Sequence, residues 1–262
     1  MAFLDVHAFS DSLGMQVNFY VLLPQPAQRQ IGVAGGEARE KYPVLYLLHG
    51  LSDDHTIWLR RTSIERYAAE KNLAIVMPAA GRSFYQDMPN GARHWTFLTE
   101  ELPALCEAWF PVSARREDTF IAGLSMGGYG ALRAALAKPE RYTAAASLSG
   151  ALDLNKRLLD ANKQGGRLSR AELAGIFGEK LSVAGTDADL HALAQRVATA
   201  SAKPRLFVCC GTEDELLGDN RGFHQHLDAV HYEHVYEEGP GAHEWGYWDA
   251  QIQRVLRWLP MR

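Results

Sequence analysis

Apolar runs alternate with amphipathic stretches along most of this chain. Val44–Leu48 (VLYLL), Leu73–Met77 (LAIVM), Thr119–Leu124 (TFIAGL), Ala144–Leu148 (AAASL) and Arg205–Cys209 (RLFVC) are short and almost wholly apolar. Such runs suit strands buried on both faces, as in a parallel sheet. Met15–Leu23 and Glu233–Glu237 read as further strands, the first with partial alternation. Helical spacing recurs over Thr62–Lys71, Trp95–Phe110, Met126–Lys138, Asp189–Thr199, Asn220–Val230 and Tyr247–Leu259. Pro103 is expected in the first turns of its helix or at a kink. Strands that alternate with helices predict an α/β architecture with right-handed crossovers and a mostly parallel, twisted sheet. Pro24–Pro43 is polar, with Gly35-Gly36, and reads as a surface hairpin or loop. The pattern weakens over residues 152–203, which contain Gly165-Gly166, Gly175, Gly178 and Gly185. This segment is expected to be a cap-like insertion after the sixth strand, within a single domain of residues 1–262.

Thr119–Lys138 (TFIAGLSMGGYGALRAALAK) carries the strongest chemical signal. A G-x-S-x-G element, Gly123-Leu124-Ser125-Met126-Gly127, lies between a predicted strand and a predicted helix. A lone pentapeptide match is weak, but strand, sharp turn and helix together define a nucleophile elbow. A serine at the tip of such a turn holds a strained backbone. Its neighbours two positions away crowd together, so glycine is needed on both sides. Gly128 and Gly130 are expected to let the helix sit close to the sheet. The dinucleotide-binding reading fails because the spacing is not G-x-G-x-x-G.

A serine hydroxyl needs a base to take its proton and an acid to orient that base. In α/β-hydrolase folds the chain order is serine, acid, histidine. His224 and His226 fall in a predicted helix, and His231 and His234 flank a strand start. His243 sits in a loop after the last strand and before the last helix, so it is the candidate base. Asp214, in the turn after Arg205–Cys209, is the candidate acid. Glu213, Asp219 and Asp153 are rivals for that role. Backbone N–H groups of Leu51 and Met126 are the candidate oxyanion hole. Trp58, Trp95, Tyr129 and Trp245 lie near predicted strand ends and are candidates to line the substrate pocket. No metal site is expected: no HExxH spacing occurs, and His231, His234 and His243 do not form a recognisable ligand set.

Composition narrows the class. The 262 residues carry 27 Lys+Arg against 31 Asp+Glu, a net charge of -4, which leaves no basic footprint for nucleic acid. No apolar stretch suits a membrane span, and the N-terminus lacks the basic start of a signal peptide. Three cysteines, two of them adjacent at Cys209-Cys210, argue against a disulfide framework and for a reducing, cytoplasmic setting. The sequence leaves monomer and homo-oligomer both open.

Four blocks together resemble a known family: His49-Gly50-Leu51, GLSMGGYGAL (Gly123–Leu132), CGTEDELLGDN (Cys210–Asn220) and PGAHEWGYWD (Pro240–Asp249). With SFYQDM (Ser83–Met88) and HWTFLTEELP (His94–Pro103), they are similar to the tributyrin-esterase branch of the esterase D-like α/β-hydrolases. The resemblance spans nearly the whole chain. It implies the α/β-hydrolase fold, a serine carboxylesterase for short acyl esters, no cofactor, and the triad on Ser125, Asp214 and His243. Related S-formylglutathione hydrolases carry a cysteine after the HG element and a histidine before the nucleophile. Ser52-Asp53-Asp54 and Leu124 stand there instead, which makes a glutathione thioesterase the secondary expectation. Feruloyl or acetyl-sugar esterases and acyltransferases use the same triad and stand beside that thioesterase as expectations; a non-catalytic binding module is disfavoured.

Overall fold

The computed structural model describes residues 1–27, 29, 31–32, 36–160 and 167–261. Gly35 and Gly165-Gly166 lie outside them. The strands are β1 (Ala2–Ser10), β2 (Met15–Leu23), β3 (Val44–Leu48), β4 (Ala74–Pro78), β5 (Thr119–Leu124), β6 (Ala144–Leu148), β7 (Arg205–Gly211) and β8 (His234–Gly239). They form one sheet in the order β1-β2-β4-β3-β5-β6-β7-β8. β1 and β2 join antiparallel, while β4-β3-β5-β6-β7-β8 run parallel. This is the expected α/β-hydrolase arrangement.

Alternate residues of each central strand feed two cores. Leu45, Leu47, Phe120 and Ala122 face a layer that contains Trp58 of α1 (Ile57–Arg61), Ile64 of α2 (Ile64–Ala69) and Ile252 of α10 (Trp245–Trp258). Tyr46, Leu48 and Ile121 face the other layer, with Leu102 of α4 (Leu102–Trp109), Leu132 of α5 (Met126–Ala137), Leu193 of α8 (Leu190–Val197) and Phe223 of α9 (Leu217–Ala229). The central strands β3 to β7 are mostly apolar because each of their faces is covered.

Helix α4 follows α3 (His94–Thr96) through a π-helical turn at Phe97–Glu101, where the Leu102 N–H reaches the Phe97 carbonyl. Pro103 therefore sits just after a widened turn, as its ring and missing N–H require.

Elements beyond the expected ones are β1, α1, and two helices of the 152–203 segment, α6 (Leu154–Leu159) and α7 (Arg170–Phe177). That segment is tied to helix α5: Tyr129 Oη donates to the Ala188 carbonyl at 2.8 Å, and Arg133 Nε donates to the Asp187 carbonyl at 2.8 Å.

Candidate active site

Ser125 is the residue between β5 and α5. Its backbone lies at φ 53°, ψ -118°, a region that L side chains rarely adopt. The strain is held by sterics on both sides. A Cβ on Gly123 would strike the Gly127 carbonyl, and one on Gly127 would come within 2.6 Å of the His49 and Leu48 carbonyls. The turn thus lifts Ser125 Oγ off the end of the sheet at the N-terminus of α5.

Asp214 follows β7 and His243 follows β8, so neighbouring parallel strands deliver both to the same sheet edge. His243 Nδ1 lies 2.9 Å from Asp214 Oδ2 and 3.1 Å from Oδ1. Its Nε2 lies 3.0 Å from Ser125 Oγ. A carboxylate can only accept, so Nδ1 carries the proton and Nε2 is left to accept from the serine hydroxyl. The Asp214 side chain is fully buried and the His243 side chain 11% exposed. Burial acts to raise the Asp214 pKa, but hydrogen bonds from His243, the Leu216 amide and Ser149 outweigh it and hold the carboxyl below its usual value. The group therefore stays ionised beside the imidazole.

Of the rivals for the acid, Glu213 instead accepts from the Gly241 amide, and the Glu213 amide donates to the Gly241 carbonyl. It clamps the loop that carries His243. Asp219 pairs with Arg157 at 2.9 Å, and Asp153 caps α6 by accepting from the Lys156 amide at 3.0 Å.

Leu51 and Met126 both border the cavity above Ser125. Met126 is the first residue of α5, so its N–H has no acceptor within the helix. The turn bearing Leu51 is fixed from below. His49 Nε2 accepts the Ala80 N–H at 2.9 Å, which leaves the ring proton on Nδ1, 2.7 Å from the Gly50 carbonyl. Burial pushes the His49 pKa down to about 4, so this ring is neutral. Tyr85 Oη donates to the His49 carbonyl at 3.0 Å.

The four aromatic candidates do not line the cavity, which corrects the sequence-based expectation for them. Trp58 is buried, and its indole N–H donates to the Leu48 carbonyl at 3.0 Å, tying α1 to the end of β3. Trp245 packs edge-on against Trp58 and Trp248. Tyr129 is buried in the Ala188 and Gln86 bonds. Trp95 lies under the Arg133 guanidinium, 3.7 Å from the ring centroid. Proximity to a strand end does not decide on which side of the sheet a ring falls.

The cavity, about 420 Å³, is walled instead by Phe84, Leu154, Leu158, Leu173, Phe177 and Leu216. Lys156, Arg157, Asp160, Arg167, Glu215 and Asp219 also border it. Most of these residues come from 152–203, where the periodicity was weakest, and no motif singled them out. All three cysteines are buried free thiols.

A strained serine joined through histidine to a buried carboxylate at the carboxyl edge of a parallel sheet defines a serine hydrolase of the α/β-hydrolase class. The chain belongs to the Esterase family, whose model, described as "Putative esterase", matches residues 10–259. An acetyl esterase of Caldicellulosiruptor saccharolyticus is 29% identical over 267 residues, 99% of this chain and 98% of that protein. Among solved structures, FphF, a fluorophosphonate-binding serine hydrolase of Staphylococcus aureus, is 33% identical with 98% of each chain covered and a TM-score of 0.86. An S-formylglutathione hydrolase (FrmB) from Staphylococcus aureus is also 33% identical over 98% of each chain, with a TM-score of 0.83. Family and neighbours make this chain a carboxylic ester hydrolase of the serine type.

Proposed function

We propose that this esterase cleaves small-molecule esters of short acyl chains through an acyl-enzyme on Ser125. The observation that carries the reading is the unbroken hydrogen-bonded line Ser125 Oγ, His243, Asp214 at the floor of a cavity bordered by both apolar and charged side chains. Ser125 Oγ attacks the ester carbonyl while His243 Nε2 takes its proton. The amides of Leu51 and Met126 receive the charge that develops on the carbonyl oxygen. His243 then returns the proton to the departing alcohol, and water attacks the acyl-enzyme by the same route. Asp214 keeps the proton of the resting imidazole on Nδ1 and steadies the imidazolium. No step needs a metal or organic cofactor.

The acyl group is assigned to the wall formed by Phe84, Leu158, Leu173 and Phe177, and residues 152–203 act as the cap that supplies most of that wall. A tributyrin-like preference for short chains fits this volume. No helix among the described residues is long and apolar enough to cross a membrane, and the free buried thiols fit a reducing cytoplasm. The test is hydrolysis of p-nitrophenyl acetate and butyrate. Ser125→Ala should lower kcat by at least about 10³-fold; equal rates would reject the assignment.

A thioesterase for S-formylglutathione is the second reading, favoured by the 33% identity to the staphylococcal enzyme of that description. Against it, the arginines at the cavity are already paired. Arg157 bonds Asp219 at 2.9 Å and Arg167 bonds Glu215 at 2.6 Å, so a substrate carboxylate that reached either arginine would have to displace an acidic side chain; Lys156 also borders the cavity. The ratio of kcat/KM for S-formylglutathione to that for butyrate esters separates the two; a large excess for the thioester would favour the second.

A further inference from the structure

Away from the cavity, helix α9 and the edge strand β8 bring two imidazoles edge to edge, with their planes 62° apart. His224 Nδ1 and His234 Nε2 are 2.8 Å apart. Each ring's other nitrogen already faces an acceptor. His234 Nδ1 is 2.7 Å from the Tyr232 carbonyl, and His224 Nε2 is 3.6 Å from the Asp228 carboxylate, one helical turn on. Tyr236 stacks on His224, with centroids 4.2 Å apart and planes 11° from parallel, which fixes that ring. Both rings are half-buried and neither borders the cavity at Ser125.

Metal-ligating histidines have their outer N–H groups held by a carbonyl or carboxylate so that the inner nitrogens present their lone pairs; His234 is already held this way by the Tyr232 carbonyl, and the Asp228 carboxylate stands 3.6 Å from the outer nitrogen of His224. Two imidazole nitrogens ~2.05 Å from one ion stand about 2.9 Å apart at a right angle and about 3.3 Å apart at the tetrahedral angle. The observed spacing matches the right angle, the cis angle of octahedral, tetragonal and square-planar ions, and among these imidazole ligands favour nickel and copper.

We propose that His224 and His234 form a binding site for a divalent transition ion of the nickel–copper class, with Asp228 orienting His224. His234 needs no change, because its Nε2 is already unprotonated. Neutral His224 gives up its Nδ1 proton to water and takes one on Nε2, beside Asp228, so the exchange balances without net proton release. Water completes the coordination, since the nearby Glu238 is engaged by Arg221 and Tyr236. The ion would pin α9 to β8, the strand that runs on to the His243 loop.

The test is Ni²⁺ titration of the untagged protein by calorimetry, with paramagnetic broadening of imidazole signals to locate the ion. Saturable one-to-one binding is expected, with the His224 and His234 rings broadened first. His224→Ala/His234→Ala should abolish it, and Asp228→Asn should weaken it about 10- to 100-fold. Retained esterase activity reports that these variants fold. Undiminished Ni²⁺ affinity in the double variant, broadening centred on other histidines, no binding by the wild type, or Zn²⁺ bound more tightly than Ni²⁺ would each overturn the proposal.

Discussion

Ser149 shows how a buried acid is aimed. It follows β6 with φ 49°, is fully buried, and accepts the Trp248 indole N–H at 3.1 Å. Its hydrogen bond to Asp214 is among those that hold that carboxyl ionised. Trp248 also packs edge-on against His243, with centroids 4.8 Å apart. Ser149→Ala should remove one support from the carboxylate while leaving the nucleophile untouched. A fall of about 10-fold in kcat, with KM little changed and an unaltered circular dichroism spectrum, is the expected result. An unchanged kcat would show that Ser149 is packing alone. At this scale the sequence points to Ser125, Asp214 and His243, which the fold brings into one hydrogen-bonded line, because strand order and loop position restrict where each can stand. Ser149 and Trp248 carry no such signal. They matter through a contact between residues 99 positions apart, and neither motif nor periodicity reports it.

Elements position these residues by close backbone approach. A Cβ on Gly211 would strike the Gly241 carbonyl, and Gly241 itself holds φ 141°. The β7 turn with Asp214 and the β8 loop with His243 are thus pressed together, with Glu213 bonding across the seam. Gly241→Ala should lower kcat/KM by about 10²-fold or more, because a displacement on the order of 1 Å is felt at the reacting atoms. Soluble, folded protein with wild-type activity would contradict this. The buried strands are legible as continuous apolar runs, and the elbow as strand, glycines and helix. β1 is less legible because it is an edge strand: Leu4, Val6 and Ala8 turn inward while Phe3 and Phe9 are largely exposed. Helix α7 does have a visible start, the capping box of Ser169 and Glu172, but its single turns of apolar residues are too short for a periodicity reading.

The whole molecule is predicted to be acid-labile. Burial lowers the pKa of His49, His55, His94 and His191, that of His49 to about 4. Between an unfolded value of about 6.5 and these folded values the unfolded chain binds protons that the native one does not. Stability should therefore fall as pH drops from about 6.5 towards 4 and level off for His49 below that. His49 alone corresponds to about 3 kcal/mol. Urea midpoints measured from pH 7.5 to 4.5 check this, and His49→Gln should flatten the slope; an identical slope would exclude His49 as a source. The proposed cap makes a second prediction. Phe177→Ala opens the wall of the cavity, so the preferred p-nitrophenyl ester should shift to longer acyl chains, read as the ratio of kcat/KM for octanoate to that for butyrate. An unchanged ratio would place the acyl chain elsewhere.

The central claim is that Ser125 is a nucleophile activated by His243. A fluorophosphonate followed by intact-protein mass and peptide mapping tests it directly. One adduct per chain, on Ser125, with labelling lost in Ser125→Ala and strongly slowed in His243→Ala, is the predicted outcome. Labelling at another residue, or undiminished labelling of Ser125→Ala, would contradict it.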